Sequence, residues 1–207
     1  MRAPLPMKPS LFASLLVFAV TLQAHAATPP SQAATCVACH GAEGQGNPTL
    51  GAPRLAGQQV DYLLTQLRDF KAGRRGYDPR DSHGAQMRAI AANVAEGDQE
   101  PLARYFAALG AEPATAPTAS NGEGQALYQH TCAACHGPQG QGFAHLKTPN
   151  LRVLDRAYLD RQLQSFSDGL RGSEQHASEL AVWMRGIALQ LHDDQQRKVL
   201  LDYIAGP

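Results

Sequence analysis

The chain has 207 residues, which is enough for one or two domains with a buried core. Apolar residues make up 43% and charged residues 17%, a composition typical of a globular protein that argues against a disordered, collagen-like or multi-span membrane chain. Eighteen basic residues balance eighteen acidic ones, so the chain has no basic field that would attract nucleic acid.

Residues 1–26 have the pattern of a secretory signal peptide. Two basic residues precede an apolar run over 11–22, and Ala24 and Ala26 are small residues that fit cleavage before Ala27. The run is short for a membrane-spanning helix, and an uncleaved membrane anchor is the alternative. Cleavage would leave 16 basic against 18 acidic residues, a formal charge of −2. We therefore expect an exported, periplasmic protein that is soluble or peripherally attached to the membrane.

Two CxxCH motifs use all four cysteines of the chain. They consist of Cys36, Cys39 and His40, then Cys132, Cys135 and His136. Two disulfides are the usual outcome for four cysteines in an oxidising compartment. A redox CxxC would not need the histidine, and a structural zinc site would draw ligands from both motifs into one cluster. CxxCH instead lets two thiols add across the vinyl groups of one haem, with the histidine beneath the iron. The motifs predict two covalently bound haem c groups, with His40 and His136 as iron ligands.

The region from the first cysteine to a Gly-x-Arg-Gly segment over 73–76 recurs 96 residues later. The recurring positions include Gly44, Gln45, Gly46, Pro53, Tyr62, Leu63, Gln66, Leu67, Phe70 and Arg75, with partners Gly140, Gln141, Gly142, Pro149, Tyr158, Leu159, Gln162, Leu163, Phe166 and Arg171. Leu63, Leu67 and Phe70 fall on one face at helical spacing, and no segment has the pattern of a paired strand. The pattern predicts an all-α tandem duplication.

Met87 and Met184 are the two methionines that remain after the signal peptide. They follow the motif histidines by 47 and 48 residues, and one extra residue in the loop before Met184 explains the difference. The spacing predicts that each supplies the sixth ligand of one iron, with core gap-fillers as the alternative. His83 and His176 lie shortly before the two methionines and remain other candidates. The other histidines, His130, His145 and His192, are interpreted as surface or locally bonded residues.

A segment rich in proline and small residues separates the two copies and predicts an extended linker over 110–119. We therefore place the first domain at 27–109 and the second at 120–207. Ser120 and Glu123 have the spacing of a capping box, which predicts that they open the helix carrying the second motif.

The chain resembles the dihaem cytochromes c4, which are tandem class I cytochrome c domains of bacterial periplasms. The likeness rests on the CxxCHG motifs, the Gly-Gln-Gly after each, Pro53 and Pro149, the Tyr-Leu-x-x-Gln-Leu helices and the Met-x-x-Ile-Ala segments. It implies two helical domains related by an approximate two-fold axis, with haem edges facing each other. The loops before the methionines differ between the copies, so we expect pockets of different polarity.

The resemblance also implies roles beyond the ligands. The carbonyls of Pro53 and Pro149 would accept hydrogen bonds from the proximal histidines, with simple turn prolines as the alternative. Arg75 and Arg171 would lie near the haem carboxylates, with an ordinary surface position as the alternative.

The expected function is outer-sphere electron transfer, because His and Met ligation leaves no open site for a substrate. The chain is then a carrier and not an enzyme, and it has no small-molecule substrate. The resemblance points to redox protein partners, from a quinol-oxidising complex towards a terminal oxidase. The alternatives are a haem peroxidase, which would need a vacant iron position and a catalytic acid or base, a cytochrome subunit of a periplasmic dehydrogenase, and a sensor, although no output domain is evident.

Overall fold

The computed structural model describes residues 28–110, 122–191 and 193–206. The predicted signal peptide, nearly all of the predicted linker, Ser120 of the predicted capping box and His192 lie outside these residues. Within them the regular structure is helical, apart from short 3₁₀ turns and one isolated antiparallel bridge between Asn47 and Ala52. The helices are α1 (Ala33–His40), α2 (Val60–Lys71), α3 (Ser82–Ala92), α4 (Glu96–Ala108), α5 (Gly122–Thr131), α6 (Ala133–His136), α7 (Arg156–Ser167), α8 (Glu179–Ala188) and α9 (Asp194–Ala205).

In the first domain α2 packs against both α3 and α4. Leu63 of α2 and Leu102 and Phe106 of α4 are buried together in one apolar cluster. These side chains recur at helical spacing, so each helix buries one stripe and leaves the opposite face to solvent. The predicted helix around Leu63 and Phe70 is confirmed.

The second domain repeats this plan, with α9 packed against α5 and α7, and α8 packed against α7. Its cluster includes Tyr128, Leu159 and Leu200. The helix expected to carry the second motif is interrupted, because α5 ends at Thr131 and α6 begins at Ala133. The first motif by contrast lies within the unbroken helix α1.

The extra residue of the second copy lies in the loop before α8. Gly76 and Gly172 are still 96 residues apart, whereas the N-caps Asp81 and Ser178 are 97 apart. The loop therefore absorbs the insertion before either methionine helix begins.

The two domains meet through cross-contacts that repeat under the pseudo-two-fold relation. Arg75 Nη2 donates to Gln162 Oε1 at 3.0 Å, and Arg171 Nη2 donates to Gln66 Oε1 at 2.8 Å. Each arginine also binds the glutamine of its own domain at 2.7 Å. The four side chains form a closed ring of hydrogen bonds across the interface.

Among the described residues, no helix has the length and apolarity needed to cross a membrane.

Candidate haem-binding sites

The first motif presents its three functional side chains from α1. Cys36, Cys39 and His40 occupy positions i, i+3 and i+4, which lie on one face of a helix. This face lines a pocket that Met87 of α3 also lines. The structure thus brings together the four residues that the sequence assigns to the first haem. The two predicted iron ligands among them, His40 of α1 and Met87 of α3, are 47 residues apart in the sequence.

His40 is buried and held in one orientation. Its Nδ1 donates to the Pro53 carbonyl at 2.8 Å, which leaves Nε2 free to act as a ligand. Burial lowers the pKa of His40, so the imidazole is neutral near pH 7. Gly46 allows this approach, because its φ of +84° is one that glycine adopts readily and a Cβ there would lie 2.7 Å from the Arg54 nitrogen. The contact expected of Pro53 is present.

The second motif has a similar backbone arrangement, but its histidine makes a less well-aligned contact with the proline carbonyl. Gly142, with φ +72°, brings the chain at Pro149 close to the motif. Burial lowers the pKa of His136, and the nearby Pro149 carbonyl raises it in part. The geometry nevertheless leaves His136 Nδ1 without a well-aligned hydrogen bond. The two proline contacts are therefore similar in position and unequal in geometry.

Met184 lies in α8, half-buried, in the place that Met87 has in α3. The alternative candidates sit differently. His83 lines the first pocket beside Met87, while the ring of His176 stacks on Tyr77 of the first domain with ring centroids 4.7 Å apart. His176 is therefore engaged at the domain interface.

The four cysteines are free of disulfides. Burial raises the pKa of the Cys36 thiol and raises that of Cys132 to about 12. Uncharged sulfur is what a thioether bond to haem provides, so these environments suit the adduct. Across residues 28–110, 122–191 and 193–206, no group of three or more His, Cys, Asp or Glu side chains could hold a metal ion, and no zinc cluster combines the two motifs there.

Arg75 and Arg171 are buried, with 8% and 7% of their surface exposed, so the surface alternative for them is wrong. Each guanidinium lies over a phenylalanine ring of its own domain, and each Nε atom has no hydrogen-bond partner. Burial and the charge of Arg75 lower the pKa of Arg171. Arg75 also lines the first pocket. Two buried cations with unused donors fit the carboxylates of haem.

The interface ring was not anticipated from the sequence. Tyr62 and Gln66 were recognised only as repeated positions, although a polar side chain kept in both copies on the helix face that carries Leu63 and Phe70 was the available signal. In the structure the equivalent Tyr158 accepts from Arg75 Nη2 at 3.1 Å and Gln66 accepts from both arginines. The repeated polar residues thus serve contact between the domains.

The sequence model of the Cytochrome c family matches this chain twice, over residues 31–109 and 122–206. Two matches, each with one CxxCH motif, define a tandem dihaem cytochrome c.

Individual relatives narrow this class. Cytochrome c4 of Stutzerimonas stutzeri is 31% identical over 95% of this chain and 97% of its own length. The crystal structure of reduced recombinant cytochrome c4 from Pseudomonas stutzeri superposes with a TM-score of 0.67 at 31% identity, covering 84% of this chain and 94% of the other. A thiosulfate dehydrogenase electron acceptor of Thiomonas intermedia is 35% identical over 96% of this chain and 91% of its own length.

The chain belongs to the cytochrome c4 family. It is a dihaem electron carrier with two covalently bound haem c groups, one at each CxxCH motif.

Proposed function

We propose that this protein is a periplasmic carrier that moves single electrons between respiratory complexes, from a quinol-oxidising complex towards a terminal oxidase. The observation that carries the proposal is the assembly of Cys36, Cys39, His40 and Met87 around one pocket. If His40 and Met87 both bound the iron of a haem held here, no position would be left for a substrate, which favours electron transfer over catalysis.

Each residue has a distinct task in this proposal. The cysteines at 36, 39, 132 and 135 form the thioether links, and His40 and His136 are the proximal ligands. Met87 and Met184 are the sixth ligands. When bound, haem supplies a one-electron couple, and the chain supplies ligands, orientation and an apolar surrounding. Pro53 fixes the His40 ring, which keeps the ligand nitrogen aimed at the pocket.

The proposed domain limits are 27–109 and 120–207, joined by the linker 110–119. The proposed mature chain begins at Ala27 after export, because haem attachment through CxxCH and the pattern of residues 1–26 both suit an exported protein.

A second candidate is the cytochrome partner of a periplasmic oxidoreductase. It is favoured by the 35% identity to a thiosulfate dehydrogenase electron acceptor, which covers 96% of this chain. A further structural relative, the thiosulfate dehydrogenase TsdBA from Marichromatium purpuratum, has a TM-score of 0.61 at 29% identity, and the match spans 36% of that longer chain.

The two candidates differ in the electron donor, so donor kinetics separate them. Oxidised, purified holoprotein would be mixed in turn with membranes containing a quinol-oxidising complex plus quinol, and with thiosulfate dehydrogenase plus thiosulfate. Haem reduction is followed by visible absorbance, and reoxidation is then started with a terminal oxidase. The respiratory proposal expects faster reduction by the quinol system followed by oxidase-dependent reoxidation. Faster reduction by the dehydrogenase would reject it in favour of the second candidate.

A further inference from the structure

The loop between α7 and α8 is attached to the first domain by one tyrosine. The Tyr77 hydroxyl donates to the Gly169 carbonyl at 3.0 Å and accepts from the Ser173 backbone nitrogen at 2.9 Å. The Tyr77 ring stacks on His176 of the same loop at an interplanar angle of 17°. One side chain of the first domain thus contacts the loop at its start, middle and end.

A second attachment lies where this loop becomes α8. Ser178 Oγ donates to Asp69 Oδ2 at 2.8 Å, and Asp69 Oδ1 accepts from Arg74 Nε at 2.8 Å. Asp69 is 4% exposed, so this contact is shielded from water. Ser178 is the N-cap residue of α8, yet its side chain makes no capping hydrogen bond to its own helix.

The first copy starts its methionine helix in another way. Asp81, the N-cap of α3, accepts from the backbone nitrogen of Gly84 at 2.8 Å, which is a local cap. The residues 96 positions after Asp69 and Tyr77 are Ser165 and Ser173, which cannot make the same contacts in return. The N-cap side chain of α3 therefore binds its own helix, whereas the N-cap side chain of α8 binds the other domain.

The loop lies directly against the turn of α8 that carries Met184. A Cβ on Gly172 would lie 2.5 Å from the Ala181 carbonyl oxygen and 2.8 Å from Arg185 Cβ. These two residues flank Met184 along the helix. Because no free space separates the loop from α8 at Gly172, a shift of the loop would also shift α8.

We propose that Tyr77 and Asp69 of the first domain are positioning residues for Met184. The strength with which the Met184 sulfur binds the second haem iron would then depend on the domain interface. This inference rests on the proposed function, in which Met184 is the sixth ligand. Neither side chain touches the iron; both act through Ser173, Ser178 and the start of α8.

The test measures how easily imidazole displaces Met184 from ferric haem in the full-length holoprotein. A Met87→His background removes the sulfur ligand of the first haem, so the weak charge-transfer band of sulfur on ferric iron reports the second haem alone. Into this background we would introduce Ser178→Ala and Tyr77→Phe separately. Each removes side-chain hydrogen bonds to the other domain and keeps the remaining shape. We expect imidazole to bind about three- to tenfold more tightly in each variant, since one net hydrogen bond corresponds to roughly that factor.

Three controls separate positioning from general damage. Tyr105→Phe makes the same chemical change in the first domain away from this loop and should leave the affinity within twofold. Ser178→Thr keeps the hydroxyl and should restore the parent affinity. In a Met184→His background, which reports Met87, Ser178→Ala and Tyr77→Phe should leave imidazole binding at the first haem within twofold.

The outcomes distinguish this inference from the function on which it rests. A band that is present in the Met87→His background, with unchanged imidazole affinity in both variants, overturns the positioning role and leaves the ligation by Met184 intact. Equal weakening at both haems also overturns it. Absence of the band in that background shows that Met184 is not the ligand, and the proposed ligation and this inference both fail.

Discussion

The two copies share their haem-attachment frame but differ in the side chains beside the methionine. In the first copy His83 and Gln86 of α3 line the pocket, whereas α8 has Leu180 and Trp183 at the equivalent positions. Trp183 is 61% exposed. Because polarity and solvent access around a haem set its reduction potential, duplication of one frame can still produce two different redox sites.

The largest expected effect is the loss of one covalent haem when the cysteines of one motif are removed. Replacing both Cys36 and Cys39 with Ala should remove one haem, because no thiol remains to form a thioether, while the second copy keeps its own. Mass spectrometry of denatured protein should show one covalent haem instead of two. The mirror variant at Cys132 and Cys135 should give the same count. A bare polypeptide mass for the parent protein would contradict covalent attachment at either site.

The next effect compares the two sixth ligands. Met184→His should lower the potential of the second haem on the order of 0.2 V, within the roughly 0.8 V that axial ligands span, because imidazole stabilises ferric iron more than a thioether does. Met87→His should act on the first haem alone. Potentiometric titration with visible spectra resolves both. If Met184→His leaves the potential and the sulfur band unmoved, Met184 is a core residue and another group is the ligand.

A smaller effect tests the symmetry of the interface. Gln66→Leu should lower the free energy of unfolding by about 3 kcal/mol, because one donor from each of Arg75 and Arg171 then loses its partner in a buried site. Gln162→Leu should cost nearly the same amount, since it accepts from the same two arginines. Guanidinium unfolding of holoprotein measures both values. The exposed Gln164→Leu control should stay within about 0.5 kcal/mol. Clearly different losses of unfolding free energy for Gln66→Leu and Gln162→Leu would show that the two glutamines are not equivalent in the ring of hydrogen bonds.

The smallest effect concerns a turn that the copies build from different residues. Gly51 has φ +65°, and its equivalent Lys147 has φ +54°, a region that costs a side chain about 1 kcal/mol. Lys147→Gly should therefore raise the free energy of unfolding by about 0.5 kcal/mol, because the strain it relieves exceeds the added freedom of the unfolded chain. Thermal unfolding against a Lys147→Ala control checks this. A loss of stability would mean that Lys147 makes a contact worth more than its strain.

Local chemistry could be predicted well from the sequence. CxxCH needs neighbouring residues only, and the two family matches bear out the two haem groups that it predicts. The assignment of Met87 and Met184 as iron ligands, made from their number and spacing, stays a prediction. The helices around Leu63 and Phe166 followed from their 3.6-residue spacing. The sequence also predicted the extra residue before Met184, and the structure places it in the loop preceding α8.

Contacts between the domains could not be predicted, because they join residues 82 or more positions apart. Arg75 and Arg171 were equally compatible with the surface until their burial and shared glutamines were visible. The Ser178 to Asp69 bond leaves no spacing pattern at all. The break between α5 and α6 at Cys132 likewise has no marker, since the two inner residues of the motif, Ala133 and Ala134, are strong helix formers.

The interface contains two kinds of contact, one that repeats in both directions and one that does not. Pairing of Arg75 with Gln162 and of Arg171 with Gln66 occurs twice, which is the form of contact that two identical subunits make around a two-fold axis. Tyr77 with Ser173 occurs once and requires different residues on the two sides. A homodimer encoded by one copy cannot form such a contact without forming it twice. Within one polypeptide the two halves can therefore carry different residues, so that a one-sided contact such as that of Tyr77 stands beside the symmetric hydrogen bonds of the two arginines.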